Sequence, residues 1–328
     1  MISKEKRKDL IQKFAALTGL LILILVFSLT SEAFFSMGNA MTVALQTTSL
    51  ALLGIGMTCV IITGGIDLSV GSVLALAGTV AGLLVKSGLP LGPAMFCALL
   101  VGTLCGLVNG LFITKLKLPP FIATLGMMMI ARGFALQLTG AAPVSGLGES
   151  FGVLGNGAFF RMIEKAPNGL PKVIFPGIPY PVVIMVIFAV VVAFILNKIR
   201  IGRYMYTVGS SEDATRLAGI SVTRVKLVAY SISGFFAGLT GIIIMSRLVT
   251  AQPNEGIMYE LDAIASAVIG GTSLMGGMGT ISGTCIGAFV IGILRNGLNM
   301  NGVSSFIQQI IIGVVIIATV WIDHLRNR

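Results

Sequence analysis

The feature that most restricts this chain is a series of ten apolar runs separated by short polar segments. They fall at approximately 14–29, 41–63, 68–85, 94–114, 120–139, 179–197, 227–246, 259–272, 280–298 and 304–322. A helix needs about 20 apolar residues to cross the hydrocarbon core of a bilayer. Lipid offers no hydrogen bonds, so a spanning segment must satisfy its own backbone, as a helix or a closed barrel does. Charged residues make up 10% of the chain and its mean hydropathy is +1.00. Soluble domains carry about 25% charged residues, so this chain could not cover its surface in water. The expected fold is all-α: one polytopic membrane bundle of about ten transmembrane helices over 1–328, some broken by glycine. The limits of the runs at 41–85 and 259–272 are the least defined, because these are short or glycine-broken.

The net charge of +10 raises nucleic acid as a partner. The basic residues form no patch, however. They lie between apolar runs, as the positive-inside rule describes. With ten runs and the N-terminal tail 1–13 inside, the inner segments hold Lys4, Lys6, Arg7, Lys8, Lys13, Lys115, Lys117, Lys198, Arg200, Arg203, Arg216, Arg224, Lys226, Arg326 and Arg328. The outer segments hold Lys86, Arg161, Lys165, Lys172 and Arg247, while Arg132 and Arg295 fall within runs. Fifteen inner against five outer basic residues puts both termini in the cytoplasm. No nucleic-acid partner is expected; membrane lipid is. The sequence Ser28-Leu29-Thr30-Ser31-Glu32 is a poor cleavage site, so the first run is expected to remain as a helix.

Metal and nucleophile chemistry find little to work with. Cys59, Cys97, Cys105 and Cys285 sit in apolar stretches with no CxxC pair, and read as packing residues. His324 is the only histidine, in the C-terminal tail. No cofactor or metal is expected. The Gly-x4-Gly-Lys-Ser/Thr loop that cradles nucleotide phosphates is absent from the sequence, so this chain should not hydrolyse nucleotide itself.

The 42 glycines show helical spacing: Gly102, Gly106 and Gly110 form one row, Gly279, Gly283 and Gly287 another, Gly234 and Gly238 a third. Small residues every fourth position let helices approach closely in lipid, and tight packing within the bundle is the expected use. Two glycine pairs interrupt apolar stretches. Gly64-Gly65-Ile66-Asp67-Leu68-Ser69-Val70-Gly71 and Gly270-Gly271-Thr272-Ser273-Leu274-Met275-Gly276-Gly277 share the spacing Gly-Gly-x-x-Leu-x-x-Gly. Corresponding broken helices point toward a translocation site in transporters. Asp67 has two readings: a helix cap at the inner surface, or a group in the transport pathway.

Two outer and inner segments are long. The outer one, 141–178, is rich in Gly and Pro, with a short surface helix expected near 158–165. The inner one, 198–226, contains Ser210-Ser211-Glu212-Asp213-Ala214-Thr215-Arg216-Leu217-Ala218-Gly219, which reads as a short helix. Ser210 is placed to cap it, with Asp213 three residues on. Glu212 and Asp213 suit the positive end of its dipole, and Gly219 supplies a left-handed stop. Such a helix is either a docking element or an ordinary solvated loop. The polar residues within runs, Gln46, Thr47, Thr48, Asn109, Arg132, Gln137 and Asn296, either bridge helices or line a wet path. Arg132 is the most costly in lipid and is expected near an acidic partner.

On these residues the sequence closely resembles the ribose-type permease subunits of bacterial ATP-binding-cassette sugar importers. The stretches that carry the resemblance are GGIDLSVG at 64–71, FIATLGMM at 121–128, GRYMYTVGSSEDATRLAGI at 202–220, AQPNEGIMYELDAIASAVIGGTSLMGG at 251–277 and NGLNMNGVSS at 296–305. The resemblance implies alternating access in the bacterial inner membrane, driven by a cytoplasmic ATPase subunit. It also implies a periplasmic or lipid-anchored sugar-binding protein and a second permease subunit. It implies that Ser211, Glu212, Asp213, Ala214, Thr215, Arg216 and Gly219 couple to the ATPase. Glu212, Ala214 and Gly219 match the family's Glu-Ala-Ala…Gly pattern; Asp213 departs from it, standing where a second alanine is usual. Gln46, Asp67, Asn109, Phe121, Arg132 and Asn296 are the candidates for the translocation path. An ion-coupled carrier or a membrane-embedded enzyme are the rival classes. Few acidic residues lie deep in the runs and no catalytic constellation is visible, which disfavours both.

Overall fold

The computed structural model describes residues 4–165 and 171–326. Residues 1–3, 166–170 and 327–328, among them Arg328 of the orientation count, lie outside the described residues, as do the side chains of 1–15, 165–172 and 322–328. The chain runs α1 (Lys4–Thr30), α2 (Met37–Ile62), α3 (Val70–Lys86), α4 (Leu91–Thr114), α5 (Pro120–Thr139) and α6 (Glu149–Asn156). Strands β1 (Ala158–Phe159), β2 (Met162–Lys165), β3 (Pro171–Phe175) and β4 (Ile178–Pro179) follow. Then come α7 (Tyr180–Lys198), α8 (Arg200–Ser210), α9 (Glu212–Leu217), α10 (Val222–Leu248), α11 (Tyr259–Ile269), α12 (Ile281–Met300) and α13 (Ser305–Arg326).

The fold is an all-α polytopic bundle. Helices α2, α4, α5, α7, α10 and α12 are long and apolar enough to cross a membrane. Shorter apolar helices cover Ala16–Thr30, Val70–Lys86 and Ser305–Trp321. The eighth run becomes α11, whose 11 residues reach only about 16 Å at 1.5 Å per residue, about half of a bilayer core. Its continuation toward α12 is the second glycine break.

Two helices form the centre. In α2 every residue from Ala51 to Ile62 is buried, and in α10 the stretch Phe236–Ser246 is buried throughout. Leu52, Ile55, Cys59 and Ile62 of α2 share a core with Phe236, Leu239 and Ile243 of α10 and with Val192 and Leu196 of α7. The glycine rows set the close approaches. A Cβ on Gly102 would lie 2.5 Å from the Gly234 carbonyl oxygen, and one on Gly106 would overlap the Tyr230 carbonyl. Side chains on Gly283 and Gly287 would strike the Gly270 and Ser266 carbonyls. Packing within the bundle therefore accounts for the rows.

The surface helix expected near 158–165 is not there. The helix lies earlier, at α6, and the following residues pair as strands: β1 with β4, β2 with β3, both antiparallel. Ile163, Val173 and Ile174 are β-branched and suit a strand. Phe160 takes a left-handed φ of 58°, which stops any helix through it.

Candidate functional site

Asp67 lies in the first glycine break, between α2 and α3, and is 1% exposed. It is not the cap of α3; that position belongs to Ser69, whose side chain makes no capping bond. Instead the carboxylate gathers donors from three elements. Its Oδ1 accepts from the Ser69 N–H at 3.0 Å and the Ser69 hydroxyl at 2.6 Å, and its Oδ2 from the Ser233 hydroxyl of α10 at 2.8 Å. Asn109 of α4 donates to Ser69 Oγ at 2.9 Å and reaches Asp67 Oδ1 at 3.5 Å. The neighbouring Ile66 carbonyl accepts from Tyr230 of α10 and Thr124 of α5, both at 3.4 Å. Ser233 stands 11 residues into α10, about 16 Å along its axis. Asp67 is thus a buried carboxyl group tied to the bundle by hydrogen bonds, not the cap of a helix. No cation pairs with it among the described residues.

The two glycine breaks meet. The Gly277 N–H donates to the Ile62 carbonyl at 2.9 Å. A Cβ on Gly276 would stand 3.1 Å from the Gly64 Cα, and one on Gly277 would stand 2.6 Å from Ser210 Oγ. Gly209 of α8 has no room for a side chain against the Ile62 carbonyl and Gly277 nitrogen. The end of α2, both breaks and the end of α8 therefore form one junction, immediately before α9.

Helix α9 is short and fully capped. Ser211, at φ −165° and ψ 111°, accepts from the Ala214 N–H at 3.2 Å. The cap is one residue later than the sequence suggests, because Ser210 still belongs to α8 and its hydroxyl donates to the Tyr206 carbonyl. Asp213 consequently does not close a capping box. At the other end Gly219 has φ +77°. Its N–H meets the Arg216 carbonyl, and that of Ile220 meets the Thr215 carbonyl, the paired bonds of a left-handed helix stop. Thr215 is buried, while Asp213, Ala214, Arg216 and Leu217 are exposed, Leu217 at 90%. Glu212 is held by an ion pair to Lys226 of α10.

The remaining path candidates separate. Arg132 of α5 donates from Nη1 to the Pro253 and Glu255 carbonyls at 2.5 and 2.8 Å. Its hydrogen-bond partners are backbone carbonyls in the loop 249–258, and the acidic side chains expected near it are those of Glu260 and Glu255. Asn296 exchanges two bonds with Asn39 at 3.1 and 3.0 Å, so it bridges α12 and α2. Phe121 is 53% exposed at the start of α5. Gln46 is exposed at the rim of a cavity of about 230 Å³ between α2, α11 and α12. That cavity is lined by Gln46, Thr47, Ser49, Leu50, Arg247, Tyr259, Asp262, Gly292 and Arg295. Asp262 and Arg295 form a two-toothed ion pair there, Arg295 Nη2 lying 2.8 and 2.6 Å from the two carboxylate oxygens. Sequence reasoning passed over this pair. The signal was two opposite charges inside apolar runs, Asp262 in the run 259–272 and Arg295 in 280–298.

Interrupted helices that meet inside an apolar helical bundle are the build of a membrane transport protein. Residues 39–320 match the family described as branched-chain amino acid transport system / permease component, and the chain belongs to that family. It is a transport permease and not an enzyme. The chain is 44% identical to the ribose import permease protein RbsC of Escherichia coli (strain K12), over 95% of this chain and 94% of that protein. It is 42% identical to RbsC of Bacillus subtilis (strain 168), over 96% and 94%. The xylose transport system permease protein XylH of Escherichia coli (strain K12) is 33% identical over 97% and 93%. No solved structure matches the chain.

Proposed function

We propose that this chain is the permease subunit of an ATP-binding-cassette importer that moves a monosaccharide, ribose or a similar sugar, across the bacterial inner membrane. Its relatives are named as ribose and xylose permeases. The observation that carries the ATP-driven reading is α9: a capped helix with exposed Leu217, Asp213 and Arg216, joined directly to the junction of the two breaks. A separate cytoplasmic ATPase docks on this helix, and nucleotide binding there drives alternating access. The driving force is the difference in contact between the two ATPase states. A periplasmic or lipid-anchored sugar-binding protein delivers the sugar on the opposite face, and a second copy of the permease completes the complex. The excess of basic residues around α8 and α9 supports a cytoplasmic position for that end and for both termini.

The test is co-purification of the ATPase with the full chain, together with ATP hydrolysis stimulated by loaded binding protein. Leu217→Asp places a charge on the exposed apolar tip. Gly219→Val puts a branched residue at φ +77°, a strain of about 1–2 kcal/mol. Both variants should insert normally, since neither residue lies in a spanning helix, and both should lose ATPase. Unchanged co-purification and hydrolysis in both would sink α9 as the docking element.

A further inference from the structure

The chain between α10 and α11 does not stay at the end of the bundle. A Cβ on Gly82 of α3 would stand 2.5 Å from the Ala251 Cβ, and one on Gly71 would overlap the Gly256 carbonyl. The two glycines are 11 residues apart, about three helical turns and about 16 Å. Both therefore lie on one face of α3, and residues 251–256 descend that face from near its Lys86 end to the first glycine break. Arg132 confirms the depth. It reaches the Pro253 and Glu255 carbonyls from a position seven residues inside the spanning helix α5, about 10 Å from its end. Both ends of the segment turn abruptly: Val249 and Met258 have φ of 51° and 71°, values uncommon away from glycine. Before the half-span of α11, the chain thus enters the bundle without a helix.

Non-helical backbone at membrane depth must be buried in protein or line water. Here protein covers one side only. Ala251, Pro253 and Gly256 are buried, whereas Asn254 is exposed and Gln252 and Glu255 are half-buried. Among the described residues the side chains of Gln252 and Asn254 make no hydrogen bond, and the Glu255 carboxylate meets the Tyr259 hydroxyl at 3.1 Å but joins no ion pair. Lipid cannot satisfy three polar side chains within four residues. A second protein surface would have to match all three at once; water needs no match.

We propose that residues 251–256 form a wall of the water-filled transport path, pinned by Arg132, with Asn254 facing the passing sugar. The Asn254 amide offers both donors and an acceptor, which suits neutral hydroxyls. The proposal rests on the sugar-importer reading above and adds where its path runs.

Access of water is tested in the full chain in lipid nanodiscs, whose two faces are both open to reagent. A charged methanethiosulfonate reacts with the thiolate, which forms in water and not in lipid. Leu217→Cys on α9 sets the rate in water, Val190→Cys on α7, 65% exposed, the rate in lipid, and the unmutated chain the background. Asn254→Cys should react within about tenfold of Leu217→Cys and about a hundredfold faster than Val190→Cys. A rate nearer to that of Val190→Cys overturns the proposal, and oxidative cross-linking of Asn254→Cys between two chains would then show that a second copy covers the segment. Asn254→Trp tests the path itself. On an exposed position it should leave the folded amount unchanged. In proteoliposomes with ATPase and binding protein, D-ribose or D-xylose imported per ATP hydrolysed should fall by about tenfold or more, with stimulated hydrolysis retained. Unchanged import would put Asn254 off the path, and joint loss of import and hydrolysis would put it in a packing interface; either overturns the proposal. If the unmutated complex imports neither sugar, the importer reading fails, while the labelling rates still decide whether water reaches the segment.

Discussion

Replacing Asp67 by Asn separates the charge of the buried carboxylate from its shape. Asparagine keeps an acceptor at Oδ1 for the Ser69 N–H and hydroxyl, and its amide can donate to Ser233, whose hydroxyl rotates to accept. Hydrogen bonds to a charged group contribute about 1.5–3 kcal/mol, and neutral ones about 0.5–1.5. Each of the three short bonds therefore weakens by about 1 kcal/mol, about 3 kcal/mol in all. Against this, the neutral amide escapes the several kcal/mol needed to bury a carboxylate. The folded amount of Asp67→Asn should thus equal or exceed that of the unmutated chain.

Transport should respond differently. The three bonds tie the first break to α10 and, through Ser69, to Asn109 of α4. If alternating access remakes one of them, the state equilibrium shifts about fivefold; if all three, about 150-fold. We expect ATP-driven sugar uptake to fall by a factor in that range. The assay measures uptake in proteoliposomes and divides it by folded permease, read from fluorescence-detected size exclusion. Asp67→Ala is the companion: it takes the acceptor from the Ser69 N–H and from the Ser233 hydroxyl, each costing about 1–3 kcal/mol, and should reduce both fold and uptake. An Asp67→Asn protein with full uptake per folded molecule would refute a role for the charge. Uptake falling only in step with folded protein would reduce Asp67 to a structural tie.

Gly106→Val forces a branched side chain into the Tyr230 carbonyl of α10 and should lower the folded amount severely, whereas Gly133→Ala on α5, with nothing within 4 Å, should be neutral or slightly stabilising; thermal unfolding of the two in detergent reads the contrast. Arg132→Ala removes the two bonds that hold the Pro253 and Glu255 carbonyls. The loop 249–258 should then become more susceptible to limited proteolysis, with the bundle's unfolding temperature little changed; equal cleavage rates would show that the loop holds itself.

Much of the fold was legible because lipid leaves few options. Runs of apolar residues gave the helices, and the glycine rows gave the close contacts that the Gly102–Gly234 and Gly283–Gly270 approaches bear out. What the sequence could not tell is where backbone atoms serve as partners. The Arg132 guanidinium finds carbonyls of an irregular loop, and no side-chain pattern announces them. Asn39 and Asn296 meet across 257 residues, so neither alone distinguishes a bridge from a path. The cap of α9 moved from Ser210 to Ser211 because adjacent serines look alike until α8 is known to run through the first. Asp262 and Arg295 were visible as intramembrane charges, but the cavity depends on α11 stopping at half a span.

The placement of α9 gives the ATP-driven reading a physical route. Two rigid connections leave it. One is the Glu212–Lys226 ion pair, which fastens its N-terminal end to the first turns of α10. Seven residues beyond Lys226 that helix supplies Ser233 to Asp67. The other is α8, whose Gly209 and Ser210 press on the Ile62 carbonyl and Gly277. A push on α9 thus arrives at the first break through α10 and at the second through α8, without passing through lipid. Well-packed interiors deform little under load, while glycine breaks lack the continuous ladder that makes a helix stiff. Displacement applied at α9 therefore concentrates at the two breaks. The second break begins where α11 ends, and α11 carries Tyr259 and Asp262 into the polar cavity. In this arrangement the docking helix and the Asp262–Arg295 cavity are opposite ends of one short mechanical chain, with the glycine junction as a compliant link.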